Sequence, residues 1–370
     1  MKRIAILLIT AAICMPAAFG QTKPVADMSW NEIAAQAKKE GKVVWYQWYF
    51  QPQFRTFVKG FTEKYGIEVV IPDGTHDGNL NKFLAERKRK TGDIDVLSFG
   101  GGNTYKMNMA EYFLGPLTKI IPGGEKLKIS IEGGNSQGYA VAFWGNQTGL
   151  AYNPSRIKET ELPQTIESLS AWMQANPKRL GFNVENGGAG PAFIESVTRN
   201  VADALDYEDG DAPKDKIAGL APSWAWFSAR KSQFVITASN ADSITRLNDG
   251  EFYMVAAWED MLAGLQKSKT VDGKIKFYIP SFGMPGGGNM VGAAANAPHK
   301  AASLLFIHWL SSAETQALLN REFGSAPQHP EAASDASLIP MKQRVYSRMW
   351  AGKPFGDMVK TSFTENVLLK

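Results

Sequence analysis

Residues 139–153 read Tyr-Ala-Val-Ala-Phe-Trp-Gly-Asn-Gln-Thr-Gly-Leu-Ala-Tyr-Asn, and Pro154 follows. This apolar and aromatic run predicts a strand-rich stretch from Tyr139 to Tyr152, closed by a turn at Asn153-Pro154. The flanking segments decide what kind of sheet it joins. Upstream, Ser29-Trp30-Asn31-Glu32 fits a capping box and Gly41 a helix stop, with an Ala/Lys-rich helix between them. Strands follow over Lys42–Trp48, Glu68–Ile71 and Ile94–Ser98, separated by helices over Gln53–Tyr65 and Asn79–Lys90. Strands spaced by helices of that length indicate βαβ units and a mostly parallel sheet, hence an α/β protein.

Downstream the alternation resumes. Thr165–Ala175 is helical, and Pro191 suits the first position of another helix, continued by Ile194, Val197, Val201 and Leu205 at helical spacing. Strands are expected over Gln233–Ile236, Phe252–Trp258, Lys274–Ile279 and Met290–Ala295. The Gly- and Pro-rich residues 280–288 read as a loop, and a helix opens at Pro298. Ser311-Ser312-Ala313-Glu314 then caps a helix running to about Phe323.

The first 20 residues have the form of a leader. Lys2 and Arg3 are a positive start, Ile4–Ile13 is a short apolar run, and Ala18-Phe19-Gly20 is a small-x-small cleavage pattern before Gln21. The run is too short to span a bilayer. Lipid attachment at Cys14 is the alternative, weakened by the bulky Ile13 before it. Cys14 is the one cysteine, so the mature chain holds no disulfide and depends on a large apolar core. Of the 40 basic residues two leave with the leader, so the remaining 38 nearly balance 36 acidic ones. That balance excludes a nucleic-acid partner, and the basic run Arg87–Lys90 reads as a solvated helix end. A product of the periplasm follows, with no cofactor expected.

Six stretches, in order, resemble the type II periplasmic solute-binding proteins of ABC importers, the family of maltose, polyamine, thiamine and iron binders. They are Lys42–Tyr46, Asp95–Ser98, Tyr139–Asn153, Leu247–Trp258, Gly292–Ala302, and Ser311–Gln316 with Phe323-Gly324. The resemblance implies two α/β lobes, each discontinuous, joined by crossovers near 144–148, 277–280 and 310–313. Lobe one would be 25–145 plus 280–311, and lobe two 149–277 plus 314–370. It implies a monomer that binds a small-molecule solute between the lobes and delivers it to the membrane permease subunits.

A cleft needs apolar walls and a few placed polar groups, and the strand ends are the place to seek them. Trp45 to Phe50 is unusually aromatic; alternation sends Trp45 and Gln47 to one face and Tyr46 and Trp48 to the other, leaving open which face is core. Trp48 and Tyr49 are the loop candidates. Gly100-Gly101-Gly102-Asn103-Thr104 offers backbone N–H groups to an anion or carbonyl, or is a plain turn; its glycine spacing fits no nucleotide motif. Gly187–Gly190, centred on Gly188, is a second such site or a loop needing positive φ. Trp144 and Asn146 suit hinge or ligand equally. The resemblance places Trp258 against the ligand, and Glu259 and Asp260 beside it would suit a cation, as would an indole face; a solvated helix start is the bland reading. Phe282, with Met284 and Asn289, is a weaker candidate. Aromatics with carboxylates favour an organic cation or zwitterion, thiamine- or polyamine-like, over a sugar.

Gly134-Asn135-Ser136-Gln137-Gly138 matches the nucleophile pattern of serine hydrolases, but the required strand before and helix after are reversed here. His76, His299, His308 and His329 form no metal-ligand pair, so no metal site is expected. No Tyr-Tyr pair is present for ferric iron.

Overall fold

A computed structural model describes residues 23–132 and 134–370. The expected leader, with Cys14 and the cleavage point after Gly20, lies outside the described residues. The helix Trp30–Glu40 begins as its sequence requires: the Glu32 N–H donates to Ser29 Oγ at 3.4 Å, and the Ser29 N–H donates back to the Glu32 carboxylate at 2.6 Å. Gly41 ends it at φ 68, a conformation only glycine adopts cheaply.

The strands are β1 (Lys42–Tyr46), β2 (Glu68–Val70), β3 (Val96–Gly100), β4 (Ser130–Ile131), β5 (Gly134–Asn135), β6 (Val141–Tyr152), β7 (Leu180–Asn183), β8 (Phe234–Thr237), β9 (Met254–Trp258), β10 (Lys276–Tyr278), β11 (Met284–Ala293) and β12 (Ser347–Arg348). One sheet runs β2-β1-β3-β11-β6-β9-β7-β8, with β10 beside β6 and β12 beside β11. The outer strands on each side pair in parallel, as βαβ connection demands. The long middle strands β6 and β11 pair antiparallel with each other and with β9 and β3, while the short β12 joins β11 in parallel.

Helices cover the sheet and divide the core. One apolar cluster, from Leu150 to Val367, packs under helices such as Ala189–Val201 and Phe355–Phe363. Another gathers Trp45, Phe54, Phe143, Trp144 and Phe306, and the helix Ala313–Phe323 adds Leu319 and Phe323 to it. A third, around Phe83, Phe99 and Phe113, lies on the other face of β3 and β11. The alternation of β1 is thereby resolved: Trp45 is fully buried among Phe54, Phe143 and Phe306.

Two expectations are corrected. The helix after residue 188 starts at Ala189, so Pro191 is its third residue. More consequentially, residues 284–288 are strand, not loop. The Gly-rich composition has a different cause: a Cβ on Gly286 would lie 2.3 Å from Gln147 Oε1, one on Gly287 2.4 Å from Glu132 Oε1, and one on Gly288 2.0 Å from the Trp144 carbonyl. Glycine within a strand marks a close approach, here of β11 to β6 and to Glu132.

Candidate functional site

The register of β3, β11 and β6 sets Gly100, Asn289 and Trp144 side by side, with an irregularity after Asn289. Four residues further along β6, Thr148 pairs with Trp258 at the end of β9. Asn146 thus lies opposite Gly287 of β11, two residues before the pairing of β6 with β9 begins at Thr148. The ends of β1, β3 and β9 converge on the same point, where a cavity of about 490 Å³ opens. Its walls are Trp48, Tyr49, Phe50, His76, Gly100, Asn103, Glu132, Asn146, Asn240, Trp258, Asp260, Met261 and Asn289.

Local structure places each wall. After β1 the chain reverses at Phe50, a non-glycine residue at φ 48, which also caps the helix Gln51–Phe57. The strained turn turns out Trp48 and Tyr49, whose rings meet edge to face at 4.8 Å; Trp48 meets His76 at the same distance. Trp258 closes β9 and lies 6.2 Å from Trp350. Asp260 sits in the first turn of the helix Glu259–Lys267, where the helix dipole favours negative charge. Its Oδ2 accepts the Trp144 indole N–H at 3.0 Å, and its Oδ1 accepts the Met261 N–H at 2.9 Å.

The electrostatics of the cavity are those of buried acceptors. Burial raises the Asp260 pKa, against the pull of its donors Trp144, Met261 and Asn146. Burial likewise raises Glu132, whose carboxylate accepts the N–H groups of Gly288 at 3.2 Å and Gly102 at 3.3 Å. The buried Tyr49 phenol is held well above its usual value, also by burial. Among the described residues Asn146 Oδ1 is buried with no hydrogen-bond partner. Such groups are costly to leave unpaired and gain from a ligand that donates hydrogen bonds or carries positive charge.

Of the residues expected at the site, Trp48, Tyr49, Asn103, Asn146, Trp258 and Asp260 line this cavity. Gly102 and Thr104 line an adjoining cavity of about 320 Å³, together with Asn103 and Glu132. The Gly102 N–H is occupied by the Glu132 carboxylate, so a side chain fills the place foreseen for an anion. Gly188 backs the Trp258 indole, since a Cβ there would lie 3.1 Å from it. The neighbouring N–H groups of Ala189 and Gly190 are spent on Asn240 and Asn183.

Four residues lie elsewhere. Trp45 is core, and its indole N–H donates to Ser98 Oγ at 2.7 Å. Trp144 is fully buried behind the cavity wall, its indole N–H donating to Asp260 and its ring packed against Tyr49 and Phe50. Glu259 turns away, fully buried, and is held by Arg344 at 2.9 and 3.0 Å and by the Ile339 N–H at 3.0 Å. Phe282 is buried in the apolar cluster that runs from Leu150 to Val367, on a small cavity beside Gln164 and Asn200. Met284 is core as well. Phe50 and Gly100, from the two stretches singled out in the sequence, also line the cleft cavity; the wall residues that the sequence did not mark for the cleft are His76, Glu132, Asn240 and Met261.

The motif at Ser136 makes no nucleophile. Ser136 is fully buried, and its hydroxyl donates to the Ala140 carbonyl at 2.5 Å. Among the described residues no group of three or more His, Cys, Asp or Glu side chains is placed to hold a metal ion.

Comparison with known proteins agrees with the architecture. An Fe(3+)-binding periplasmic protein of Serratia marcescens is 21% identical over 343 residues, 91% of this chain and 93% of that protein. Iron-bound HitA from Pseudomonas aeruginosa superposes with a TM-score of 0.64 at 19% identity, covering 88% of this chain and 99% of that one. The spermidine/putrescine ABC transporter substrate-binding protein PotD of Streptococcus pneumoniae gives 0.63 at 12% identity, over 88% and 99%. The family model described as bacterial extracellular solute-binding protein matches residues 56–342. The chain therefore belongs to the bacterial extracellular solute-binding protein family, a family of solute binders and not of enzymes.

Proposed function

We propose that the cleft captures a small organic cation, or the cationic end of a zwitterion, in the periplasm and delivers it to the permease. The observation that carries this reading is the pair of carboxylates, Asp260 and Glu132, on the wall of one cavity faced by the rings of Trp48 and Trp258. Carboxylates raised by burial become favourable once a cation enters, and indole faces attract the same charge. The lobes are read as 25–145 plus 280–311 and 149–277 plus 314–370, with the helix Ala313–Phe323 also seated in the first-lobe core. The leader at 1–20 supplies export, and the chain acts as a monomer.

Iron, which names two of the relatives, fits this donor set less well. Tyr49 is the one tyrosine on the cavity wall, and burial opposes its ionisation. A sugar would use the aromatic walls but leave the two carboxylates without a charged partner. A thermal-shift screen across amines, sugars, amino acids, oxyanions and metals tests the proposal. A ligand at 100 times its Kd adds about 2.7 kcal/mol of stability. Amines should give the shift; a shift from sugars or ferric salts alone would overturn the reading.

A further inference from the structure

A larger cavity, about 750 Å³, adjoins the cleft and has the opposite electrostatic character. Its walls carry Lys126, Lys128, Arg344, Arg348 and His329, and Glu132 is their single acidic member. Lys126 is neutralised by Glu331 at 2.7 Å and Arg344 by Glu259. Lys128 and Arg348 make no ion pair among the described residues; Lys128 donates only to the Gln328 amide at 3.0 Å. Glu132 and Asn146 belong to the walls of both cavities, so the two compartments share a boundary made of one carboxylate and one buried, unpartnered amide oxygen.

Resting on the cation reading of the cleft, we propose that this basic compartment receives an oxyanion carried by the same solute. The ligand class is then an amine that also bears a phosphate, phosphonate or carboxylate. The amine lies with Asp260, Trp48 and Trp258. The oxyanion lies with Lys128 and Arg348, where charge-assisted hydrogen bonds replace contacts with water. Glu132 at the boundary attracts the first group and repels the second, which fixes the direction in which the solute lies. Arg348 extends from β12, held beside Pro285 of β11, while Lys128 precedes β4, so the two cations reach the compartment from well-separated parts of the chain.

The test is calorimetric titration of the full mature chain with aminoalkyl phosphates of about two to six carbons and with diamines of matching length. At the best-fitting length the phosphate should bind at least about tenfold more tightly than its diamine, one charge-assisted contact being worth that much. The double variant Lys128→Gln/Arg348→Gln alters exposed side chains; it should erase the advantage and leave the diamine within about twofold. Inorganic phosphate should compete with the aminoalkyl phosphate. Phosphate that binds alongside it overturns the single-solute proposal. Equal affinity for the two series, or equal loss of both in the double variant, overturns the oxyanion site while leaving the cation reading intact. Phosphate binding through Lys128 and Arg348 with no binding of amines does the reverse.

Discussion

The indole N–H of Trp144, on the strand that crosses the molecule, donates to Asp260 Oδ2 at 3.0 Å across 116 residues of sequence. A fully buried tryptophan of one core thus holds a carboxylate on the cavity wall. Trp144→Phe keeps the ring and removes the donor. Stability to urea should fall by about 1.5–3 kcal/mol, the range for hydrogen bonds to charged groups. Cation affinity should fall as well, because Asp260 loses a group that favours its ionised form.

Asp260→Asn tests the carboxylate itself. The amide keeps an acceptor for Trp144, so the fold should persist while amine affinity falls roughly tenfold to a hundredfold. Titration of the variant with the best amine from the screen measures this; unchanged affinity would remove Asp260 from the site.

The pH dependence has a definite sign. Burial raises the pKa of Asp260, Glu132, Glu259 and Glu195. Stability contributed by such groups is full below their unfolded values and is lost as pH rises through their folded values. Urea midpoints of the ligand-free chain should therefore decline from pH 5 toward pH 8, and less steeply in Asp260→Asn. Amine binding should strengthen over the same rise and release protons at its lower end, visible as a buffer-dependent calorimetric enthalpy.

Trp258→Ala should weaken amine binding by roughly twofold to thirtyfold, matching a cation–π contact of about 0.5–2 kcal/mol. The neighbouring Trp350, tilted against Trp258, should then report the ligand less strongly, so the fluorescence change on titration should shrink along with the affinity.

Arg344→Met leaves Glu259 fully buried and unpaired. The expected loss is about 3–5 kcal/mol in urea denaturation. The double variant with Glu259→Gln should recover much of it, since the buried charge is then gone.

Much of the site was legible because strand ends and helix starts are local features. Trp48, Tyr49, Asn103, Trp258 and Asp260 all lie where a strand gives way to the next element. Glu259 and Asp260 looked alike in sequence, yet neighbouring helical positions point about 100° apart. One therefore lines the cavity, and the other meets Arg344, 85 residues downstream, a partner no local pattern announces. Glu132 left no readable mark either. It stands at φ 55, and its place depends on the approach of β11. The same approach disguised a strand as a loop, because the glycines of residues 286–288 serve contact and not flexibility.

The strands β6 and β11 are paired with each other and continue into both halves of the sheet. No slack tether joins the halves at this point; the connection is itself ladder. A change of angle between them would bend and twist hydrogen-bonded backbone, as in a leaf spring, and not a loop. The glycines at 145 and 286–288 lie on that spring. Bulkier residues there would stiffen it and alter how readily an occupied cleft releases its cargo.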